Sequence, residues 1–129
     1  MSAEKVSVLL VEDNKLVRKM SIIVLEQLNC MVDAVSTGRS GIEYASHRHY
    51  DLIFMDIGLP DMCGLDAINQ IRKCSKVPII ALTAHSDKEY IAESYKMGAN
   101  EFLVKPLNNE MGQGMIQRYV QVTHACKMI

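Results

Sequence analysis

Five short apolar runs recur along the chain, and a stretch with helical spacing separates each run from the next. The runs are rich in Val, Ile, Leu or Phe, a composition typical of strands buried in a sheet. They cover residues 6–11, 31–35, 52–55, 77–82 and 102–104. Strands that alternate with helices in this way predict an α/β fold, a parallel sheet with helices on both of its faces.

Apolar residues three or four positions apart mark four helices between the strands. They are Leu16, Met20, Ile23, Val24 and Leu28 in the first helix, Ile42 and Ala45 in the second, Leu65, Ile68 and Ile71 in the third, and Ile91, Ala92 and Tyr95 in the fourth. Asn14 is placed to cap the first helix. The fourth has a capping box, Ser86 with Glu89, and a stop at Gly98.

The last segment of the chain is the weakest predicted helix. Gly112 and Gly114 each cost about 1 kcal/mol relative to Ala in a helix interior. We therefore expect this helix to fray.

The composition of the five runs also predicts the order of the strands. The first, third and fourth runs are continuous, as expected of central strands. The second run contains Asp33 and the fifth has only three residues, which favours the two edges. This pattern matches the doubly wound, flavodoxin-like (βα)5 order 2-1-3-4-5, in which the functional crevice lies at the carboxyl ends of strands 1 and 3.

Length and composition indicate one soluble globular domain. The chain has 129 residues, of which 49% are hydrophobic and 22% charged, and these values exclude disordered and disulfide-scaffold classes. A chain of this length buries roughly two-thirds of its unfolded surface, so its core needs no structural metal. We expect a single domain over residues 1–129, with a core over about 6–120, a short C-terminal tail and no output domain.

Charge and cysteine content exclude several other classes. The net charge of −1 disfavours direct nucleic-acid binding. Cys30, Cys63, Cys74 and Cys126 form no C-x-x-C motif, so we expect reduced thiols and a cytoplasmic location. No signal peptide and no membrane-spanning run are recognisable.

Acidic, hydroxyl and basic residues stand at the carboxyl ends of the predicted strands. Glu12 and Asp13 follow the first strand, Asp56 the third, Thr83 and Ala84 the fourth, and Lys105 and Pro106 the fifth. Three neighbouring carboxylates need a positive partner, and Mg²⁺ prefers carboxylates, waters and a phosphate. With Lys105 as a second positive charge, the set suits a phosphoryl group.

Each of these residues taken alone also has a structural interpretation. Asp13 with Asn14 makes a good turn and helix cap. Asp56 precedes Gly58 and Pro60, which are common turn residues. Independent turns, however, do not place every charge at the same edge of one sheet, so the joint occurrence favours a functional site.

The same residues carry a family resemblance that covers about residues 6–120. The motifs are VLLVEDN at 8–14, DLIFMDIGLPDMCG at 51–64, ALTA at 81–84, Gly98 with Ala99, and Lys105 with Pro106. In this order and spacing they resemble the receiver domain of two-component response regulators and hybrid sensor histidine kinases. The resemblance implies a partner that is a histidine kinase or a histidine phosphotransfer protein.

The resemblance also implies a role for each site residue. Asp56 would attack a partner's phosphohistidine and form an acyl phosphate. Asp13, Asp56 and the main-chain carbonyl of Gly58 would bind Mg²⁺, and Glu12, where many receivers have Asp, would act largely through a metal-bound water. The chain would then be a phosphoacceptor module rather than an enzyme in its own right, and a monomer or weak dimer.

Further positions would hold the phosphoryl group and transmit its presence. Thr83 and the amide of Ala84 would contact phosphoryl oxygens, and Lys105 would pair with the group across a cis bond to Pro106. Phe102 takes the place of the switch aromatic, which turns inward as Thr83 moves, but it lacks the tyrosine hydroxyl. Gly58 and His85 occupy positions that tune the lifetime of the phosphate.

Other functions and settings remain open from the sequence. A flavin or nucleotide binder would place its phosphate after strand 1, where Glu12 and Asp13 repel it. An aspartyl phosphatase would carry a D-x-D pattern there, which is absent. A degenerate receiver that only binds partners is the main alternative. The chain is either a single-domain regulator or a part of a hybrid sensor kinase, and its motifs lean toward the latter.

Overall fold

The computed structural model describes residues 5–84 and 88–121, which form a five-stranded parallel sheet between two layers of helices. The strand order is β2-β1-β3-β4-β5, so the predicted flavodoxin-like order is confirmed. The strands are β1 Val6–Val11, β2 Cys30–Val35, β3 Leu52–Asp56, β4 Ile79–Thr83 and β5 Glu101–Val104. The helices are α1 Lys15–Gln27, α2 Gly38–His47, α3 Gly64–Arg72, α4 Lys88–Met97 and α5 Asn109–Ile116, followed by a π-helical turn, Gln117–Gln121.

Two apolar cores lie on opposite faces of the sheet. On one face, Leu25 of α1 and Met115 of α5 pack against β1, β3 and β4. On the other face, Ile68 and Ile71 of α3 do so, with residues of α2 around them. The central strands β3 and β4 are buried along their whole length, whereas β2 and β5 are largely half-buried. The contrast confirms the predicted edges.

The register of the parallel strands brings their carboxyl ends to one edge. Val11 pairs with both Val35 and Met55, and Thr83 pairs with Val104. The residues that follow β1, β4 and β5 therefore start at the same level, beside the end of β3. This alignment creates the edge on which the candidate site stands.

The predicted first helix is present as α1, but its apolar stripe only partly faces the core. Leu16, Met20 and Ile23 are 67%, 55% and 55% exposed. The helix buries Ser21 and Leu25. The apolar arc on α1 is therefore wider than the face that packs on the sheet, and its outer part is left in solvent.

The amino end of α1 and the carboxyl end of α4 lie where the sequence predicts them. The Asn14 side chain accepts a hydrogen bond from the Val17 amide at 3.0 Å and caps α1. Gly98, with φ of +115°, follows the end of α4, a backbone conformation that glycine adopts without strain. The capping box at Ser86 lies outside the described residues.

Strand β4 begins at Ile79, two positions later than predicted. The backbone that precedes the strand is hydrogen-bonded to the side chain of Arg72. The guanidinium of Arg72 donates to the carbonyl of Val77 at 2.6 Å and to that of Gly98 at 2.8 Å. It also donates to the Asn100 side chain at 2.7 Å. Arg72 thus joins the carboxyl ends of α3 and α4 to the segments that lead into β4 and β5.

Helix α5 is continuous through both glycines, which differ in their surroundings. A Cβ on Gly112 would lie 2.8 Å from Leu28 Cδ1, whereas one on Gly114 would meet open space. Gly112 therefore lets α5 approach α1 closely. Among the described residues, no helix is long and apolar enough to cross a membrane.

The two glycines make a matched pair for a stability test. We expect Gly114→Ala to raise the free energy of unfolding by about 0.5–1 kcal/mol, since alanine restricts the unfolded chain and favours helix. Gly112→Ala should yield less, because Leu28 must move aside. Urea unfolding of both variants measures the difference, and a larger gain at Gly112 would contradict the packing described here.

Candidate functional site

Three carboxylates meet at the carboxyl edge of the sheet. Carboxylate oxygens of Glu12, Asp13 and Asp56 all lie within 4.8 Å of one another. Glu12 is 1% exposed and Asp56 is 3% exposed, while Asp13 faces solvent. Two buried negative charges at this separation require a positive partner.

Lys105 supplies that partner. Its Nζ lies 2.7 Å from Glu12 Oε1 and 3.0 Å from Asp56 Oδ2. Burial by itself lowers the pKa of Lys105, but the hydrogen bonds and charges of the two carboxylates outweigh it and raise the pKa overall. The ammonium group is therefore held in its charged form between the two buried acids.

Glu12 is almost fully buried, and this burial disfavours its charged form. Burial raises its pKa against the opposing effects of Lys105 and the Asn14 amide, which donates to Oε2 at 3.1 Å. Its Oε1 lies 2.7 Å from Lys105 Nζ and is held by that ammonium. An ion that reached this oxygen directly would have to displace the lysine, so the carboxylate is better suited to a water that a metal holds.

Asp56 ends β3 and is fixed by the loop that follows it. The Gly58 amide donates to Asp56 Oδ1 at 3.1 Å, and Gly58 forms a backbone bridge with Cys63. The Gly64 amide donates to the carbonyl of Ile57 at 2.8 Å. A Cβ on Gly64 would lie 2.0 Å from the Asp56 carbonyl oxygen, so glycine is required there for the loop to close behind the aspartate.

Thr83 and Lys105 come from neighbouring strand ends and are joined through the backbone. Thr83 is the last residue of β4 and is buried. Its carbonyl accepts from the Lys105 amide at 2.7 Å, and the bond from Lys105 to Pro106 is cis, as the resemblance implies. The hydroxyl of Thr83 and the ammonium of Lys105 are thereby brought to the same cavity.

One cavity of about 610 Å³ brings these residues together. Its lining comprises Glu12, Asp13, Asn14, Val17, Asp56, Ile57, Gly58, Thr83, Ala84, Tyr90, Lys105 and Pro106. Seven of the eight predicted site residues are in this set.

The cavity lining differs from the predicted set at Phe102 and Tyr90, and a third position of interest, His85, lies outside the described residues. Phe102 is half-buried beside the α3 core and is not among the lining residues. Tyr90 of α4 lines the cavity, although neither a motif nor the predicted helical spacing of the fourth helix included it.

The donor set of the cluster fits Mg²⁺. Carboxylates that converge within a few ångströms of one another are ligands of the kind that a hard divalent cation takes together with waters. Glu12 Oε1 is paired with Lys105, so this acid suits contact with the ion through a water. The residues present therefore suffice to hold the metal.

A comparison with known protein families identifies the family of the chain. Residues 8–117 match the response regulator receiver domain. The chain belongs to this family. It is thus a receiver domain of two-component signalling, as the sequence motifs suggested.

Curated relatives carry the same domain within longer proteins. The chain is 39% identical over 98 residues to the luminescence regulatory protein LuxO of Vibrio campbellii, matching 75% of this chain and 22% of that protein. It is 33% identical over 128 residues to the hybrid signal transduction histidine kinase G of Dictyostelium discoideum, matching 95% of this chain and 4% of that protein. The chain thus spans less than a quarter of either relative.

Solved structures show the same architecture. The receiver domain of the sensor histidine kinase PA1611 from Pseudomonas aeruginosa PAO1 superposes with a TM-score of 0.85 at 32% identity, covering 92% of this chain and 99% of that one. That structure holds a magnesium ion coordinated in its active-site cleft. A CheY-like receiver domain from Methanospirillum hungatei JF-1 shares the fold, with a TM-score of 0.87 at 22% identity, covering 95% of this chain and 98% of that chain.

Removing the lysine charge tests how the cluster is balanced. In Lys105→Met we expect Mg²⁺ to bind about ten-fold more tightly, a change of about 1.4 kcal/mol, because no ammonium competes for Glu12 and Asp56. Isothermal titration with MgCl₂ measures the change. The variant should also melt at a lower temperature without Mg²⁺, since its buried carboxylates lose their partner.

Lys96→Met removes a charge from the exposed face of α4 and is the control. Weaker Mg²⁺ binding in Lys105→Met than in the control would show that the lysine supports the metal site instead of competing with it.

Proposed function

We propose that the chain is a Mg²⁺-dependent phosphoacceptor module of a two-component phosphorelay, in which Asp56 receives a phosphoryl group from the phosphohistidine of a histidine kinase or histidine phosphotransfer protein. The observation that carries the proposal is the Asp56 carboxylate. It is buried at the carboxyl edge of the sheet, bound to Lys105, and joined to two further acids in an open cavity.

The transfer needs little covalent chemistry from the protein. An oxygen of Asp56 attacks phosphorus, the nitrogen–phosphorus bond of the donor breaks, and the released imidazole takes a proton from solvent. Lys105 pairs with the phosphoryl oxygens, while the Thr83 hydroxyl and the Ala84 amide donate to them. The chain accepts and stores the group, so on this proposal it is not itself an enzyme with a small-molecule substrate.

Glu12, Asp13, Asp56 and the main-chain carbonyl of Gly58 are the residues we assign to Mg²⁺. When bound, the ion neutralises negative charge that accumulates between the acids and the phosphoryl oxygens. Asp13, the exposed member, can reach the ion without losing a partner among the described side chains. Glu12 already shares its Oε1 with Lys105, which favours contact through water.

We assign the conformational readout to Thr83 and Phe102. Phe102 pairs with Ala81 in the sheet register and is half-buried, so turning inward would take the exposed part of its ring out of solvent. A Thr83 hydroxyl drawn toward a phosphoryl group vacates space next to β5. Phe102 then turns into that space and changes the surface of β5 and α4.

The two alternatives receive less support from the site. A partner-binding pseudo-receiver has no need for a buried aspartate, a lysine ion pair and a third acid in one cavity. A flavin or nucleotide binder would bring its phosphate against Glu12 and Asp13, whose carboxylates repel it.

The exposed stripe of α1 is the surface we assign to the phosphohistidine partner. Met20 and Ile23 line an apolar groove of about 250 Å³ between α1 and the segment after β5. Val17 and Pro106 line both this groove and the Asp56 cavity. A helix that packs its apolar face in the groove and carries a phosphohistidine is therefore held next to Asp56.

Acceptor chemistry is tested with a small phosphodonor. We expect intact mass to increase by one phosphoryl group on incubation with acetyl phosphate and Mg²⁺, and no increase without Mg²⁺. The gain should be absent in Asp56→Asn, whose amide is not a nucleophile. It should persist in Asp66→Asn, a change at an exposed aspartate of α3.

Two results would count against the proposal. No gain on the folded wild-type chain would favour the pseudo-receiver. A gain that survives in Asp56→Asn would place the acceptor on another carboxylate.

The partner surface is tested with a charge on α1. Ile23→Glu should slow transfer from a histidine phosphotransfer domain phosphorylated on its histidine by about ten-fold or more, equivalent to about 1.4 kcal/mol, because a carboxylate is desolvated in an apolar contact. Phosphorylation by acetyl phosphate should be unchanged. Met31→Glu, on the exposed edge strand β2, is the control, and equal slowing by both variants would reject the α1 surface.

A further inference from the structure

The lining of the Asp56 cavity is uneven in bulk. Gly58 contributes no side chain, and a Cβ built there meets open space. Tyr90 is the one aromatic side chain among the described residues that line the cavity. It is also the one lining residue that α4 provides within the described part of the chain.

Orientation distinguishes Tyr90 from the second tyrosine of the same helix. Tyr90 and Tyr95 are exposed to similar extents, 43% and 46%. Tyr90 lines the cavity and Tyr95 does not. Five positions along an α-helix correspond to a rotation of about 140° around its axis, so the two rings point to different sides of α4.

We infer that the Tyr90 ring covers the phosphoryl group formed on Asp56 and sets its lifetime by limiting the access of water. The inference rests on the proposed function, since it concerns the product of phosphoryl transfer. It assigns to α4 a direct part in the stability of the phosphorylated state, which no motif of the sequence indicated.

The loss of the phosphoryl group is a hydrolysis. A water oxygen attacks phosphorus, the bond between phosphorus and the Asp56 oxygen breaks, the carboxylate is restored, and inorganic phosphate leaves with the protons of the water. Asp56 is nearly fully buried and lines the cavity, so the attacking water must come through the cavity. The side chains that line it therefore govern this step.

A steric role fits the chemistry of the tyrosine better than an electrostatic one. On the proposed function, the phosphoryl oxygens have Lys105 and Thr83 as partners. The phenol ring presents a large apolar area. Because Gly58 contributes no side chain to the lining, the ring is the bulkiest side chain that the described residues place along the cavity.

The test compares the decay of the phosphorylated state in four proteins. Wild type, Tyr90→Ala, Tyr90→Phe and Tyr95→Ala are phosphorylated with acetyl phosphate and Mg²⁺, separated from the donor, and followed by intact mass. We expect Tyr90→Ala to lose the group about five-fold faster, a barrier lower by about 1 kcal/mol. Tyr90→Phe and Tyr95→Ala should decay like wild type. Circular dichroism verifies that each variant is folded, and Tyr90→Leu replaces Tyr90→Ala if that variant does not fold.

The outcomes show whether this inference and the proposed function fail together or separately. A wild-type chain that takes no phosphoryl group would overturn both. Normal phosphorylation with equal decay in Tyr90→Ala and Tyr95→Ala, or slower decay in Tyr90→Ala, would overturn the role of Tyr90 and leave the acceptor function intact. Decay in Tyr90→Phe as fast as in Tyr90→Ala would assign the effect to the hydroxyl and reject the covering ring.

Discussion

The ion pair that Lys105 makes with Glu12 and Asp56 is the interaction on which the site depends. Two nearly buried carboxylates would otherwise repel each other across a few ångströms of poorly solvated protein. The Lys105 Nζ lies within 3.0 Å of an oxygen of each, and its raised pKa keeps it charged. A second cation or a phosphoryl group that entered the cavity would change the charges around Lys105 and so its position. Because the Lys105 amide donates to the carbonyl of Thr83, such a change would also act on the end of β4.

The parallel sheet by itself brings the polar residues of the site together, without any special local structure. Parallel strands in register end at one level, and each of β1, β3, β4 and β5 delivers one or two polar groups to that edge. The apolar interiors of the same strands form the two cores. The residues that stabilise the fold and those that carry its chemistry are consecutive in sequence, and the strand end separates them.

Most of the fold and the site could be predicted from the sequence, because both depend on short-range patterns. Continuous apolar runs identified the central strands, and polar residues after them identified the cavity lining. What could not be predicted depends on packing between distant elements. The apolar arc of α1 gave no sign that Leu16, Met20 and Ile23 would stay in solvent. The spacing of apolar residues shows that a helix has an apolar face, but it does not show how much of that face the sheet can cover. Tyr95 was placed on the apolar face of the fourth helix and Tyr90 was not, and nothing in the sequence showed that Tyr90 would face the cavity.

The contacts of Arg72 have a mechanical consequence for α4. Its guanidinium binds the carbonyl of Gly98 and the side chain of Asn100, so the carboxyl end of α4 is anchored to α3 and β5. A tilt of α4 that leaves these bonds intact turns the helix axis about its carboxyl end. At about 1.5 Å per residue, the amino end lies roughly 13 Å from this pivot. A rotation of about 10° then displaces the amino end by about 2 Å while the carboxyl end scarcely moves. The end with the largest travel is the one that carries Tyr90.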